Sequence, residues 1–473
     1  MDVLLVSTNR CRDPLMVMPI GICCVAEATE QAGHRVRVLD LMFERAPSVA
    51  LRETLQEYEP DVVGFSVRNV DNNDFCNPVR YSRDLDEMVQ CVDELVECPT
   101  VIGGGAISVF PRQLLGLSGA DFAVIGESDR AFPALLESFE SGPSATQVPG
   151  AAWIDDDGFQ LNPPSYDCPM PARLAPDYNR WIDLSTYIRK GAAVPLQTKR
   201  GCPHRCAYCP YPLLEGRRHR LADPAEAAQT VKRLSSRGVG QVTFVDNVFN
   251  DPPGHAEKIC RALAQDTHEV CLSTMEINPA NISTGLLRNM EKAGFVGFGL
   301  TVERASQHVL EALNKSFTVD DVQRAAEAVR KSELPCLWIY LLGGPGETKE
   351  TVRKTLEFAK NKLRPGDAAV FFPGIRINPG TEIERRARAE GLLSDEVDLL
   401  EPTFYNSPEL DPSWLVRTVQ ARVQKVPAFL SPSSGNSSFM VFARLAAEWL
   451  GGETPVWRHA DKVGRLLSRF RFY

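Results

Sequence analysis

The segment Lys-Arg-Gly-Cys-Pro-His-Arg-Cys-Ala-Tyr-Cys-Pro, residues 199–210, decides the fold of this chain. It follows a strand-like run, 194–198, and precedes a helical segment, so we predict a loop at the carboxyl end of a strand. Within it, Cys202, Cys206 and Cys209 have the spacing C-x3-C-x2-C. Three thiolates at this spacing can wrap one ion or one compact cluster.

A [4Fe-4S] cluster has four irons, so three cysteines leave one iron open to a small molecule that chelates through an amine and a carboxylate. Two alternatives remain. The first alternative is a structural zinc ion, which normally takes four protein ligands. Besides the three cysteines it would need a fourth ligand from elsewhere, such as His204. The cysteines could also be buried without any ligand. The glycine and prolines around the cysteines favour the cluster.

Strand-like and helix-like segments alternate after the cysteine loop, from about residue 193 to residue 400. The predicted strands are 194–198, 241–245, 270–275, 296–302, 335–342 and 368–372, and helices are predicted at 224–236, 322–331 and 348–360. Six strand–helix units are too few for a closed eight-unit barrel, so we predict a partial (βα)6 barrel.

Before the loop, residues 1–140 alternate in the same way and predict an α/β domain of the flavodoxin or Rossmann type. Strands are predicted at 3–6, 36–39, 61–67, 100–102 and 122–125, with a helix at 22–32. In parallel sheets, ligands bind beyond the carboxyl ends of the strands. The candidate binding residues at these ends include Ser66, Asn69, Gly103, Gly104, Gly105, Gly126 and Glu127.

Two further segments complete the predicted organisation. Residues 141–192 are rich in proline and glycine and predict a linker with a little strand at 151–154. Residues 401–473 predict a small C-terminal segment whose basic, aromatic tail, 462–473, is a capping helix or a docked end.

The composition excludes several classes of protein. The 473 residues are 44% hydrophobic and 24% charged, which is typical of a globular chain with a sizeable core. The net charge of -9 favours a small-molecule substrate over nucleic acid. No membrane span or signal peptide is recognisable, so we expect a cytoplasmic protein, and the thirteen cysteines do not indicate a disulfide scaffold.

The cysteine loop and the strand ends after it resemble the radical S-adenosylmethionine (SAM) enzymes. Cys202, Cys206 and Cys209 match the signature of that family, with Tyr208 at the usual aromatic position. The other matching residues are Asp246, Glu303, the segment 313–315, and the glycine-rich segment 343–348 with Gly343 and Gly344. The resemblance implies that these strand ends cradle SAM and that the three cysteines hold a [4Fe-4S] cluster.

An α/β domain placed before such a barrel is similar to the cobalamin-binding domain of cobalamin-dependent radical SAM enzymes. The resemblance covers about residues 1–390 and implies that cobalamin lies at the strand ends of the front domain. The motif D-x-H-x-x-G, which offers a histidine to cobalt in related domains, is absent, and His34 is the only histidine before residue 193. Arg68 is then a candidate to lie near the lower face of cobalt, which a cation cannot coordinate. A salt-bridging loop residue is the alternative for Arg68.

The resemblance implies an enzyme that methylates an unactivated carbon with SAM, a [4Fe-4S] cluster and cobalamin. It also implies an external one-electron reductant of the flavodoxin or ferredoxin type. Arg68, Glu276 and Tyr340 are the catalytic candidates, and Arg376 is a further candidate for substrate contact. Glu276 could contact SAM, the substrate or the open iron, or simply cap a helix.

Several alternatives stay open. One is oxidative ring closure without methyl transfer, another is methyl transfer from SAM to cobalamin without an adenosyl radical, and a third is a sensor without catalysis. A nucleoside triphosphate site is excluded, because Thr348 replaces the second glycine of a phosphate loop. A dinucleotide site lacks its glycine fingerprint after the first strand. Arg217, Arg218 and Arg220 are expected to form a solvated charge run.

Overall fold

The computed structural model describes residues 1–12, 16–140, 144–266, 268–432 and 455–460. A seven-stranded sheet forms the front domain, in the order β2-β1-β3-β4-β5-β6-β7. Its strands are β1 (Asp2–Ser7), β2 (Arg35–Asp40), β3 (Val62–Ser66), β4 (Thr100–Gly103), β5 (Phe122–Val124), β6 (Ala151–Asp155) and β7 (Gly158–Leu161). The first five strands pair in parallel, as predicted, and the last two pair antiparallel.

Helices cover both faces of the front sheet. They are α1 (Ile20–Gln31), α2 (Pro47–Tyr58), α3 (Leu85–Leu95), α4 (Gly105–Val109), α5 (Pro111–Ser118) and α6 (Ser128–Glu140). Side chains of α1 and α6 share one apolar core, and those of α2, α3 and α5 share another. The two cores explain why the strands are continuous apolar runs, since both of their faces are buried.

The segment predicted as a linker has more structure than a connection. Its strands β6 and β7 extend the front sheet, so the front domain continues to Leu161. Two short helices follow, α7 (Tyr178–Trp181) and α8 (Leu184–Arg189). The phenol of Tyr187 donates to the carboxylate of Asp40 at 2.7 Å and so ties α8 to the end of β2.

A second seven-stranded sheet, all parallel, forms the partial barrel in the order β18-β15-β14-β13-β12-β11-β8. Six of its strands match the predicted ones, and the seventh, β18, comes from the C-terminal segment. The strands are β8 (Val194–Leu196), β11 (Gln241–Phe244), β12 (Cys271–Ile277), β13 (Phe295–Thr301), β14 (Cys336–Leu342), β15 (Ala368–Pro373) and β18 (Phe429–Leu430). Two short antiparallel pairs are added: β9 (Lys199–Arg200) with β10 (Arg220–Leu221), and β16 (Ile375–Arg376) with β17 (Phe404–Tyr405).

Helices connect the strands of the barrel sheet. They are α9 (Tyr211–Glu215), α10 (Pro224–Ser236), α11 (His255–Gln265), α12 (Thr284–Lys292), α13 (Gln307–Ala312), α14 (Val319–Arg330), α15 (Lys349–Lys362), α16 (Glu382–Ala389) and α17 (Pro412–Lys425). Local sequence explains their starts. Thr318 and Asp321 form a capping box on α14, and Asp223 caps α10 ahead of Pro224.

The inner side of the barrel is filled near the amino ends of its strands by residues 455–460. Trp457 and Ala460 pack there against Leu337, Ala368 and Leu430. The predicted tail, 462–473, lies outside the described residues. In the described part of the chain, no helix has the length and apolar character needed to cross a membrane.

Candidate active site at the domain interface

The cysteine loop leaves the carboxyl end of β8 through β9 and enters α9, as the sequence predicts. Cys202 is buried, while Cys206 and Cys209 are partly exposed, and none forms a disulfide. Burial raises the pKa of Cys209 to about 12 and also raises that of Cys202. The thiols of Cys202 and Cys209 therefore keep their protons until a metal displaces them, which is the usual coupling of metal binding to deprotonation.

Gly201 determines the conformation at the start of this loop. Its φ of +84° is favoured by glycine, and a Cβ atom there would lie 2.0 Å from the carbonyl oxygen of Arg218. The loop is also tied to the barrel, because the amide of Ala207 donates to the carbonyl of Leu313 at 2.9 Å. The cysteines are thus presented by a backbone that only glycine at position 201 allows.

His204 does not serve as the fourth ligand of a zinc ion. Its Nε2 lies 3.0 Å from the carboxylate of Asp251, which also binds His219 at 3.0 Å and Asn281 at 3.1 Å. No three histidine, cysteine or acidic side chains within the described ranges converge as ligands of a single ion. Three free thiols on one loop therefore suit a cluster of several irons better than one zinc.

Asp246 braces the base of the loop. Its carboxylate accepts hydrogen bonds from the amides of Thr198 at 2.7 Å and Lys199 at 3.1 Å, and from the hydroxyl of Thr198 at 2.5 Å. The buried ammonium of Lys199 donates to the carbonyls of Val248 and Asp251. We predict from the sequence that Asp246 binds a cofactor, whereas the contacts observed here give it a structural role at the end of β8.

A buried triad connects the loop to the end of β13. Tyr208 donates to Glu303, and the ammonium of Lys315 lies 3.0 Å from Glu303 and 3.2 Å from the phenol oxygen. Glu303 has a φ of +63°, and its second carboxylate oxygen is buried with no hydrogen-bond partner among the described residues. A buried acceptor without a donor is costly. The hydroxyl groups of a nucleoside such as the one in SAM would satisfy it.

A cavity of about 280 Å³ lies at the carboxyl ends of the front strands, between α1, α6 and the barrel. The predicted residues that line it are Ser66, Gly103, Gly104, Gly105, Gly126 and Glu127. Gln197, Arg200, Glu215 and Val245 close it from the barrel side. Gly21 also lines the cavity, and a Cβ atom built at this residue would have no other heavy atom within 4 Å. The backbone of α1 is therefore directly accessible from the cavity at Gly21.

Two protein-family models match the two domains of the chain. The model of the radical SAM superfamily matches residues 196–359, and the model of the B12 binding domain matches residues 14–136. The chain is a cobalamin-dependent radical SAM enzyme. Its cofactors are a [4Fe-4S] cluster, SAM and cobalamin.

Relatives of this radical SAM enzyme include methyltransferases. An uncharacterised methyltransferase of Pyrococcus horikoshii is 24% identical over 385 residues, which are 79% of each chain. The hopanoid C-3 methylase of Methylococcus capsulatus is 29% identical over 258 residues, 53% of this chain and 46% of that protein. The methyltransferase TsrM of Kitasatospora setae, solved with cobalamin and a [4Fe-4S] cluster, has the same fold, with a TM-score of 0.85, 21% identity and 99% coverage of both chains.

The glycine-rich turn of the radical SAM barrel is built around a buried ion pair. Glu347 accepts from the amides of Gly343 at 2.5 Å and Gly344 at 3.1 Å, and Arg304 donates to the same carboxylate at 2.8 Å. A Cβ atom at Gly344 would lie 2.5 Å from the Arg304 guanidinium. We predict that Gly343 and Gly344 bind a cofactor, but their amides already have partners inside the protein.

Tyr340 does not face the site. It is fully buried, stacks on Phe371 with ring centroids 5.0 Å apart, and belongs to the core between the sheet and its helices. The neighbouring Ile339 belongs to the inner cluster instead, because side chains alternate between the two faces of a strand. The position of Tyr340 therefore does not support the prediction that it is catalytic.

Arg376, predicted to contact the substrate, makes contacts within the protein. Its guanidinium is buried, and it donates to Asp71 of the front domain at 2.8 Å and to the carbonyl of Leu399 at 2.8 Å.

Arg220, predicted as part of a solvated charge run, is not a solvated charge. With Arg200, it is buried against Glu127, and Arg200 also forms two hydrogen bonds to Asp129, of 3.1 and 2.9 Å. These ion pairs hold the two domains together.

Glu276 lies at the end of β12, where Thr301 donates to its carboxylate at 2.9 Å. Burial raises the pKa of Glu276 to about 7, more than the nearby charge of Lys315 lowers it. The carboxyl group is therefore poised to bind or release a proton near neutral pH, as acid–base groups do. No motif in the sequence indicates this property.

Replacing Glu276 by glutamine should stabilise the cofactor-free protein at high pH. A carboxyl group whose pKa rises from 4.5 to about 7 on folding destabilises the fold as the pH increases through this range. We expect Glu276→Gln to remove this loss, with a gain of about 3 kcal/mol at pH 8 and none at pH 4. Urea unfolding between pH 4 and pH 8 measures this gain in unfolding free energy. Glu327→Gln, a change at an exposed site, is the control, and parallel curves for all three proteins would refute the buried-carboxyl account.

His34, Arg68 and Asn69 are not among the residues that line the glycine-lined cavity. His34 precedes β2 and contacts the amino terminus at 3.4 Å, so it lies at the opposite edge of the sheet from the strand ends. Arg68 and Asn69 are exposed and line a second cavity. Sequence reasoning missed Arg304, and it named Lys315 and Glu347 only as parts of motifs, because the contacts of Arg304 with Glu347 and of Lys315 with Glu303 join distant parts of the chain.

Proposed function

We propose that this enzyme transfers a methyl group from SAM, by way of cobalamin, to an unactivated carbon of a small molecule. One observation carries the proposal. The glycine-lined cavity is closed on one side by Arg200 and Glu215, which flank the three cysteines in the chain. A cobalamin in this cavity and a cluster on the loop would therefore be neighbours, as two cofactors of one reaction must be.

When bound, the cofactors supply hydrogen abstraction through reductive cleavage of SAM and methyl transfer through cobalamin. The chain holds them and excludes water. Cys202, Cys206 and Cys209 would ligate the cluster, and the free oxygen of Glu303 would accept from SAM. Arg68, a cation that cannot ligate cobalt, would contact bound cobalamin from the loop that follows β3. An external one-electron reductant of the flavodoxin or ferredoxin type would deliver the electron.

Glu276 is our candidate acid–base group. Apart from Thr301, no hydrogen-bonding partner of its carboxylate is observed among the described residues. A carboxylate with free oxygens at the mouth of the barrel could take a proton from the substrate. It could instead occupy the open iron, which would favour methyl transfer from SAM to cobalamin without an adenosyl radical.

Product analysis tests the proposal. Protein reconstituted with iron, sulfide and cobalamin is incubated with SAM, a reductant and a metabolite extract of a strain lacking the enzyme. We expect a product heavier by one CH2, together with S-adenosylhomocysteine and 5′-deoxyadenosine. Methylation without 5′-deoxyadenosine would support the non-radical route. Consumption of SAM with no gain of CH2 would indicate oxidative cyclisation and contradict methyl transfer.

A further inference from the structure

A second cavity, of about 250 Å³, lies at the carboxyl ends of β1 and β3. It is beside α3, whereas the glycine-lined cavity is beside α1 and α6. Val67, Leu85 and Met88 are its apolar lining residues. The cofactor roles derived above involve it only through the candidate residues Arg68 and Asn69 at its border.

Charge distinguishes this second cavity. Its lining contains four arginines and only one carboxylate, that of Asp84. The arginines are Arg10, Arg68, Arg80 and Arg83. Arg80 is neutralised by Glu401 at 2.6 Å. Arg10 donates to the carbonyl of Glu44 at 3.3 Å, and in the described part of the chain Arg10, Arg68 and Arg83 form no ion pair with a carboxylate.

We propose that this arginine pocket binds the phosphate or carboxylate group of a small molecule. Guanidinium groups bind these two groups through paired, charge-assisted hydrogen bonds. Three guanidinium groups that lack ion-pair partners and share one concave site repel one another, and a bound anion would reduce that repulsion.

Arg68 connects this pocket with the cysteine loop. A Cβ atom at Gly105 would lie 3.1 Å from the carbonyl oxygen of Arg68 and 3.5 Å from the side chain of Leu214, which belongs to α9 after the cysteines. A molecule anchored by its acidic group near Arg10 and Arg83 could therefore extend toward the cofactors. On this basis the anion is an acidic group of the substrate, an assignment that rests on the proposed function. A free anion of the same chemistry is the other source.

Anion binding to the full-length, reconstituted protein tests the pocket. We expect inorganic phosphate to give saturable binding by calorimetry at about 0.15 M ionic strength. The double variant Arg10→Gln/Arg83→Gln should bind at least tenfold more weakly, whereas Arg45→Gln/Arg112→Gln should bind like wild type. The control loses the same charge from exposed arginines of the front domain that line neither cavity. Arg68 is kept, because it is also a candidate cobalamin contact.

Glycerol 3-phosphate, titrated in the same way, separates the two sources. Tighter binding than inorganic phosphate would show that the group belongs to a larger molecule, and equal binding would show a site for the free anion. No saturable binding to wild type, or equal weakening in both double variants, would overturn the proposal. Because binding is measured without turnover, failure here leaves methyl transfer untouched, and failure of methyl transfer leaves the isotherm unchanged.

Discussion

Replacing Cys206 by alanine should abolish both the iron–sulfur cluster and SAM cleavage. Cys202, Cys206 and Cys209 are the three free thiols of one loop, and the nearby His204 faces another group, since its Nε2 lies 3.0 Å from the carboxylate of Asp251. We expect anaerobically purified wild type to be brown with about four irons per chain. The variant should be nearly colourless, with SAM cleavage below detection.

Cys271→Ala is the matched control for this experiment. Cys271 is a partly exposed cysteine of the same barrel, in β12, and lies outside the loop. It should keep the iron content and the activity of wild type. A Cys206→Ala protein that retains four irons, or a wild type that carries zinc and no iron, would refute the assignment of the loop.

Replacing Arg304 by methionine should cost about 3–5 kcal/mol of unfolding free energy, because it leaves the carboxylate of Glu347 buried without its counter-charge. Both side chains are fully buried, and they join the ends of β13 and β14 through the 2.8 Å pair. Glu347 also holds the amides of Gly343 and Gly344, so the glycine-rich turn should loosen. Equilibrium denaturation measures the loss.

The double variant Arg304→Met/Glu347→Gln should recover part of this loss, since the unpaired charge is gone. Arg324→Met, which removes an exposed partner of Asp321 on α14, should change stability by no more than about 0.5 kcal/mol. If Arg304→Met were as mild as Arg324→Met, the buried pair would not hold the turn.

Much of the fold follows from local sequence. Helix α10 begins and ends at the predicted residues, because Asp223 caps it and Pro224 occupies its first turn. The six predicted barrel strands are all present, since buried parallel strands are continuous apolar runs. By contrast, β18 is only two residues long, and β6 and β7 lie among prolines and glycines, so pairing with a distant sheet decides their state.

The site was predictable only where its residues are neighbours in sequence. The three cysteines share one loop, and their spacing together with the family resemblance indicated their role. Which face of β14 Tyr340 occupies depends on strand register, and a shift by one residue reverses it. Asp246, Arg220 and Arg304 have partners many residues away, and such contacts decide whether a polar group is free to bind a ligand.

The fate of the methyl group of SAM tests the central claim most directly. SAM carrying a CD3 group is supplied to the reconstituted enzyme with the metabolite extract, once with cobalamin and once without it. We predict a product that contains the intact CD3 group, formed only when cobalamin is present. Turnover of SAM that is equal with and without cobalamin, or that leaves every product free of CD3, would contradict the claim.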